Sequence, residues 1–188
     1  APTIIHYGHL LRVLRYTRGT IDRCLFFSST SSLQLYAYSD ATWGTDPSDF
    51  RSISAYCVFL GSSLVSWKTK KQTVVARSSA EAKLRALACV MAEVTWLRWL
   101  LAEFGICLTT STPVHCDSTD AISIAQDPVK HQLTIGIDCF YLQSAVQDHV
   151  VSLQYVPSEL QLVDLLTKAH TRAQHSFLLS KLSVVDPS

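Results

Sequence analysis

The longest regular pattern in the chain runs over residues 78–104, and it constrains the fold more than any other stretch. Leu84, Leu87, Met91, Val94, Leu97, Leu101 and Phe104 recur at intervals of three and four, which gathers them on one face of a long helix closed by Gly105. A stripe of that length needs a broad apolar surface to lie on, and the flanking segments supply one. Residues 33–39 alternate as a strand, and residues 53–60 and 64–68 read as two more around a Gly61-Ser62-Ser63 hairpin turn. After the long helix come a strand over 113–116, a helix over 118–125 that ends before Pro128, a helix over 138–147 and a strand over 150–156. Past Pro157 the pattern predicts helices over 159–168 and 174–182. Up to residue 168 the order β-β-β-α-β-α-α-β-α predicts an α/β fold, a mixed sheet with helices packed on it.

Composition narrows the function classes. A chain of 188 residues fits one domain plus an appendage. Hydrophobic residues make up 48% and charged ones 16%, below the roughly 25% of typical globular proteins, so large apolar surfaces are expected, including a face that packs on a neighbour. The net charge of +1 means that any basic footprint for nucleic acid is local. Cys24, Cys57, Cys89, Cys107, Cys116 and Cys139 form no C-x-x-C pair, and several fall inside apolar patterns where free cysteine behaves as a small hydrophobe, which argues against a zinc site or a disulfide scaffold. No apolar run is long enough to span a membrane, no signal-like start is visible, and the absence of asparagine excludes N-glycosylation acceptors. The expected compartment is intracellular, cytoplasmic or nuclear.

Four acidic motifs punctuate this framework: Y-S-D-A-T-W around Asp40, R-S-S-A-E-A around Glu81, V-H-C-D-S around Asp117 and L-V-D-L-L-T-K around Asp164. Each falls at the end of a strand or in the first turns of a helix, where carboxylates from separate elements can aim at one point. Such a cluster repels itself unless something positive sits in it, and oxygen-rich sites suit hard divalent cations, magnesium above all. Two such ions roughly 3.5–4 Å apart form a clamp for cutting a phosphodiester bond.

Each acid also has a plainer reading. Asp40 is a turn former, Glu81 closes a capping box with Ser78, and Asp117 caps the helix after it, a job Ser118 does equally well. Asp164 reads from spacing alone as a solvated helical carboxylate. Lys68, Lys70 and Lys71 beside Trp67, with Arg77 a few residues on, read either as contacts to duplex phosphates and sugars or as a solvated hairpin tip. The histidines show no H-E-x-x-H.

Taken in order, these motifs closely resemble the ribonuclease H domain of Copia-type LTR retrotransposon polyproteins, which reads S-D-A-D-W, S-x-S-A-E-A-E-Y, C-D-N and Q-L-A-D-I-F-T-K. Residues 51–61 and 66–72 match further family segments, His131 matches a family histidine, and R-V-L-R-Y-T-R-G-T over 12–20 matches the tail of the preceding reverse transcriptase. The resemblance covers about residues 6–182. It implies a ribonuclease H-like fold with a mixed five-stranded sheet over 33–170, a reverse transcriptase remnant and linker over 1–32, and a C-terminal helix and tail over 171–188. It further implies a metal-dependent endonuclease that cleaves the RNA strand of RNA–DNA hybrids. Asp40, Glu81, Asp117 and Asp164 would be its catalytic metal ligands, holding two magnesium ions for which manganese can substitute. Trp43, Ser79, Lys68, Lys70, Lys71, Arg77 and Ser118 would form its substrate-binding set.

Several positions depart from the family. Lys83 and Leu84 stand where it has glutamate and tyrosine, Ser118 where it has asparagine, and Thr134-Ile135-Gly136-Ile137-Asp138 where it reads T-K-H-I-E-I-D. Lys83 lies two residues after Glu81, roughly 200° around the helix, and is expected to point away from the acids and leave them splayed or partly protonated in the absence of metal. These departures, with the near-neutral charge and apolar composition, motivate an alternative: a catalytically weak or inactive ribonuclease H-like domain serving as a protein-interaction module through an apolar face, on which the helix bearing Trp96 and Trp99 and the N-terminal segment are the exposed candidates. The stripe of the long helix, with Trp96 and Trp99, is expected to be core and packing surface. Leu10, Leu11, Leu14, Phe26 and Phe27 are expected to pack on the body, since they would otherwise expose a large apolar patch.

Overall fold

Burial at six successive positions, from Ser54 to Phe59, marks a strand covered on both faces, and the sheet is organised around it. The structure is a computed structural model and describes residues 1–127 and 136–186. His131, Thr134 and Ile135 lie outside the described residues. The elements are α1 (Ile4–Arg18), β1 (Cys24–Leu25), β2 (Leu35–Thr42), β3 (Ile53–Leu60), β4 (Ser63–Lys71), α2 (Ser79–Glu103), β5 (Thr112–Cys116), α3 (Thr119–Gln126), α4 (Gly136–Gln147) and β6 (Val151–Tyr155). A single 3-10 turn (Ser158–Leu160), α5 (Asp164–Thr167), α6 (Arg172–Ser180) and β7 (Val184–Val185) follow.

Five strands form one mixed sheet in the order β4-β3-β2-β5-β6. β2, β3 and β4 make an antiparallel meander, while β5 and β6 join parallel to β2. This is the ribonuclease H-like α/β architecture expected from the sequence. Alternate residues of β3 serve opposite sides, as the pleat requires. Tyr56 and Val58 join the α2 stripe, Val114, Leu142 and Val151 in one core. Ala55, Cys57 and Phe59 join Leu162, Val163, Leu178 and Leu182 in another. The β3–β4 turn needs Gly61: its φ is +55°, and a Cβ there would lie 2.1 Å from Ser31 Oγ and from Ser32 O. The serine-rich linker thus runs directly over the hairpin tip, with Ser62 N donating to Ser31 Oγ at 2.7 Å. Among the described residues, no helix is long and apolar enough to cross a membrane.

Three expectations are corrected. The helix over 159–168 is instead the 3-10 turn, an extended Gln161 and the short α5, because the Gln161 side chain is drawn into the sheet and breaks the run. Trp96 and Trp99 are 52% and 71% exposed, since they lie off the face of α2 that carries Met91, Val94 and Leu101. The N-terminal segment does not pack as expected. α1 has no buried residue, and Leu10, Leu14, Phe26 and Phe27 are each more than half exposed. What ties this segment down is the β1–β7 ladder, Cys24 to Val185 and Leu25 to Val184, with Phe26 N donating to Ser183 O at 2.9 Å.

A helix of 15 residues with no buried side chain is marginal in water. Brief trypsin treatment is therefore expected to cut at Arg12, Arg15 or Arg18 while the body from Cys24 onward stays intact. Mass spectrometry of the digest checks this, and protection of α1 beyond that of the body would refute it.

Candidate active site

Parallel pairing of β2 and β5 brings the first two acids together. Ala37 stands beside Val114 and Tyr38 beside His115, so the same register carried on reaches Asp40 beside Asp117. Asp40 lies within β2 rather than after it and is fully buried. Asp117 is the first residue beyond β5. Ser118, not Asp117, caps α3 by accepting from Ala121 N at 3.2 Å, which leaves the Asp117 carboxylate to accept from Ser158 Oγ at 3.0 Å. Asp164 opens α5 and arrives through Gln161, whose Nε2 donates to Ser39 O at 3.1 Å, next to Asp40. Thr167 Oγ1 donates to Asp40 Oδ2 at 3.3 Å and completes the contact between α5 and β2.

The partners of Glu81 are its own neighbours in sequence. Ser78 Oγ accepts from Glu81 N at 3.1 Å, one half of a capping box. The Glu81 carboxylate accepts from Arg77 N at 2.8 Å and pairs with Arg85 at 3.0 Å, so neither oxygen is spare.

Two lysines fill the space between the other acids. Lys83 Nζ lies 2.5 Å from Asp117 Oδ1 and 3.2 Å from Asp40 Oδ1. Lys168 Nζ lies 2.7 Å from Asp164 Oδ1 and 3.3 Å from Asp40 Oδ2. The expectation that Lys83 points away is therefore wrong. Its stem is long enough to reach across the end of β2, and the buried charge of Asp40 holds the ammonium there. The acids are neither splayed nor bare.

Burial alone pushes the Asp40 carboxyl up, but Lys83 and Lys168 more than offset it and hold the group below the usual carboxylate range. Asp164 goes the other way: burial and the charge of Asp40 raise it, against the opposing pull of Lys168. Both lysines are raised: burial lowers each, and the carboxylate partners outweigh that effect, Asp117 and Asp40 for Lys83 and Asp164 and Asp40 for Lys168. Asp40 is thus a fixed negative charge, and both ammonium groups stay protonated.

The donor set suits a hard divalent ion in its chemistry. Three carboxylates converge from β2, β5 and α5, and Asp40 Oδ1 is buried without an aligned hydrogen-bond donor. Its positive charge is already supplied, however. Among the described residues, no group of three or more acidic, histidine or cysteine side chains is arranged to hold a metal ion.

The residues expected to meet substrate lie on the strands and loops nearby. Trp43 follows β2 with its ring half exposed and its Nε1 donating to Ala76 O at 2.8 Å, which pins the loop before α2. Ser79 and Arg77 are exposed at the start of α2. Lys68 and Lys70 are exposed on β4, the edge strand, whereas Lys71 is paired with Asp46 at 2.6 Å and Asp49 at 2.9 Å. A groove of about 400 Å³ lies beside them, with Lys70, Lys71, Gln72, Arg85, Cys89 and Tyr141 in its wall.

Sequence reasoning missed Gln161 and Arg85. Gln161 stands at the head of the fourth motif, but a surface glutamine and a buried clip look alike in one sequence. Arg85 lies four residues after Glu81, the helical spacing of an ion pair, and that signal was available.

No family model matches the chain. It is 37% identical over 186 residues, 98% of its length, to the retrovirus-related Pol polyprotein from transposon RE2 of Arabidopsis thaliana. It is 38% identical over 191 residues to that from transposon RE1 of the same plant. With the retrovirus-related Pol polyprotein from transposon TNT 1-94 of Nicotiana tabacum it shares 30% over 169 residues, 89% of the chain. Similar solved structures include LC11-RNase H1, at 12% identity and a TM-score of 0.48, covering 79% of this chain and 92% of that one. The N-terminal ribonuclease H domain of a Mycobacterium tuberculosis protein matches at 13% identity and a TM-score of 0.46, covering 79% and 98%. At such scores the structural likeness is loose.

The fold and the sequence relatives together define a retroelement ribonuclease H-like domain. The chain belongs to the retrovirus-related Pol polyproteins of transposons and spans 13% of the length of each of the three relatives above.

Because Gln161 is fully buried and joins α5 to β2, Gln161→Leu is expected to cost about 1–3 kcal/mol by leaving Ser39 O unsatisfied. Urea denaturation measures this, and an unchanged midpoint would show that Asp164 is positioned without the clip.

Proposed function

We propose that this domain is a ribonuclease H-type endonuclease that cleaves the RNA strand of RNA–DNA hybrids. The observation that carries the reading is the meeting of Asp40, Asp117 and Asp164, from separate segments of the chain, around the ends of the interior strands β2 and β5. These three, with Glu81 once it leaves Arg85, would hold magnesium or manganese. The chemistry supplied by a bound pair of ions is activation of water for in-line attack and stabilisation of the leaving 3′ oxygen. The protein's own part is to keep Asp40 charged and dry, to hold Asp117 through Ser158, and to set Asp164 through Gln161. Preference for the RNA strand would come from its 2′-hydroxyls and the shape of the minor groove.

Hybrid binding is assigned to Lys68 and Lys70 at phosphates, with Trp43 and Trp67 against sugars, and with Ser79, Arg77 and Ser118 near the acids. Lys68→Ala with Lys70→Ala is expected to weaken hybrid binding and reduce the salt slope by about 2. Lys71→Ala should change it less, because Asp46 and Asp49 already hold that ammonium. Fluorescence anisotropy across a salt series reads both, and equal effects would refute the assignment.

The decisive assay is a labelled hybrid with magnesium or manganese. Slow cleavage of the RNA strand is expected, reduced by at least about 10–100-fold in Asp117→Asn, the loss that even outer partners of metal ligands produce. No difference between the two proteins would sink the reading. A second reading, an inactive module kept for protein contacts, is favoured by Lys83 lying among the acids and by the exposed Trp96 and Trp99. Specific capture of a protein that survives Asp40→Asn with Asp117→Asn, together with absence of cleavage, would favour it.

A further inference from the structure

We propose that Lys83 is a tethered cation standing in the place of a metal ion, so that the acidic site is closed to divalent ions until its ammonium withdraws. The proposal rests on the reading of Asp40, Asp117 and Asp164 as the metal-binding acids. It starts from position: Lys83 Nζ touches Asp117 Oδ1 and Asp40 Oδ1, the oxygens that adjacent parallel strands aim at a common point. A metal bridging these strands would need the same two oxygens.

The lysine is not a surface side chain that happens to lie near. Its side chain is 15% exposed and those of its partners 0% and 4%. An ammonium so placed has given up most of its water, and only the carboxylates compensate it. Around Asp40 three carboxylates face two ammonium groups, so little negative charge is left to draw in a divalent ion. Glutamate at this position, as in the resembled family, would add a negative charge where this chain has a positive one. Lys168 differs in kind: it sits on the Asp164 side, is 38% exposed, and can swing toward solvent.

The inference makes Lys83 a competitor for metal rather than a catalytic group. Its removal should therefore do two opposite things. In EDTA it leaves Asp117 without an ammonium partner and Asp40 with Lys168 alone, which lowers stability; with metal present it opens the position and restores stability by mass action.

Thermal melts and isothermal titration calorimetry with Mn²⁺ alone test this on the full chain, comparing the parent with Lys83→Met and Lys83→Glu. Met keeps the length of the stem without the charge, and Glu reverses the charge, so the pair covers failure of either variant to fold. The expected result is Mn²⁺ affinity at least about tenfold above the parent in either variant, which is about 1.4 kcal/mol. A lower melting temperature than the parent in EDTA, recovered in millimolar Mn²⁺, is expected with it. Asp117→Asn added to the variant should remove the gain. Affinities within twofold of the parent in both variants would overturn the proposal, as would a gain that survives Asp117→Asn. The hybrid assay separates the two readings. Tighter Mn²⁺ binding without cleavage by Lys83→Glu keeps the tethered cation and rejects the nuclease, whereas cleavage with unchanged Mn²⁺ affinity does the reverse.

Discussion

Parallel pairing of β2 with β5 is the constraint on which the rest of the site depends. A parallel neighbour cannot follow through a short turn; the chain must cross over. Here α2 and the loop after it make that crossing, and the apolar stripe of α2 is what holds the crossover on the sheet. Once β5 lies beside β2, register puts Asp117 level with Asp40 without any contact between their side chains being needed. The third acid arrives from the opposite side of the sheet, where Leu162 and Val163 pack beside Phe59 and Cys57. The two cores therefore support different parts of the site.

Electrostatics then decides how the acids live together. Asp40 is fully buried, and a lone buried carboxylate would take up a proton rather than stay charged. Lys83 and Lys168 change that balance, and the cost is that two ammonium groups are also drawn out of water. Burial, with the charge of Asp40, outweighs Lys168 at Asp164 and pushes that carboxyl toward the protonated form. The same lysines that stabilise this arrangement are what a divalent ion would have to displace, so stability of the metal-free protein and readiness for metal pull against each other.

The low charged fraction of the chain goes into more than the interior. α1 presents Ile4, Leu10, Val13 and Leu14 to solvent, and α2 presents Trp96 and Trp99 on the face turned away from the sheet. The expectation of a well-packed N-terminal segment failed because it treated exposed apolar area as something the chain must cover by itself. The β1–β7 ladder holds the segment after α1, and Tyr16 of α1 meets the His175 ring edge-on at 6.3 Å, yet α1 keeps its apolar residues in solvent.

Much of the frame was legible in the sequence. Period two over 33–39 and the three-and-four spacing along α2 identify a strand and a helix because the backbone repeats impose those periods whatever the surroundings. The four acidic motifs marked Asp40, Glu81, Asp117 and Asp164, and Ser118 was recognised as a cap that frees Asp117. Local pattern could not tell which of these acids meet. Glu81 and Asp164 both sit in the first turn of a helix, yet Glu81 turns to Arg85 while Asp164 is pulled to β2 by Gln161, a partner 122 residues from Ser39. Lys83 shows the same limit: helix rotation assigned it a direction, but a flexible side chain follows the strongest nearby charge, and that charge exists only after β2 and β5 are paired. Periodicity is a property of the chain itself and survives in the sequence. The partners of a buried charge are set by which distant strands become neighbours, and only the folded structure decides that.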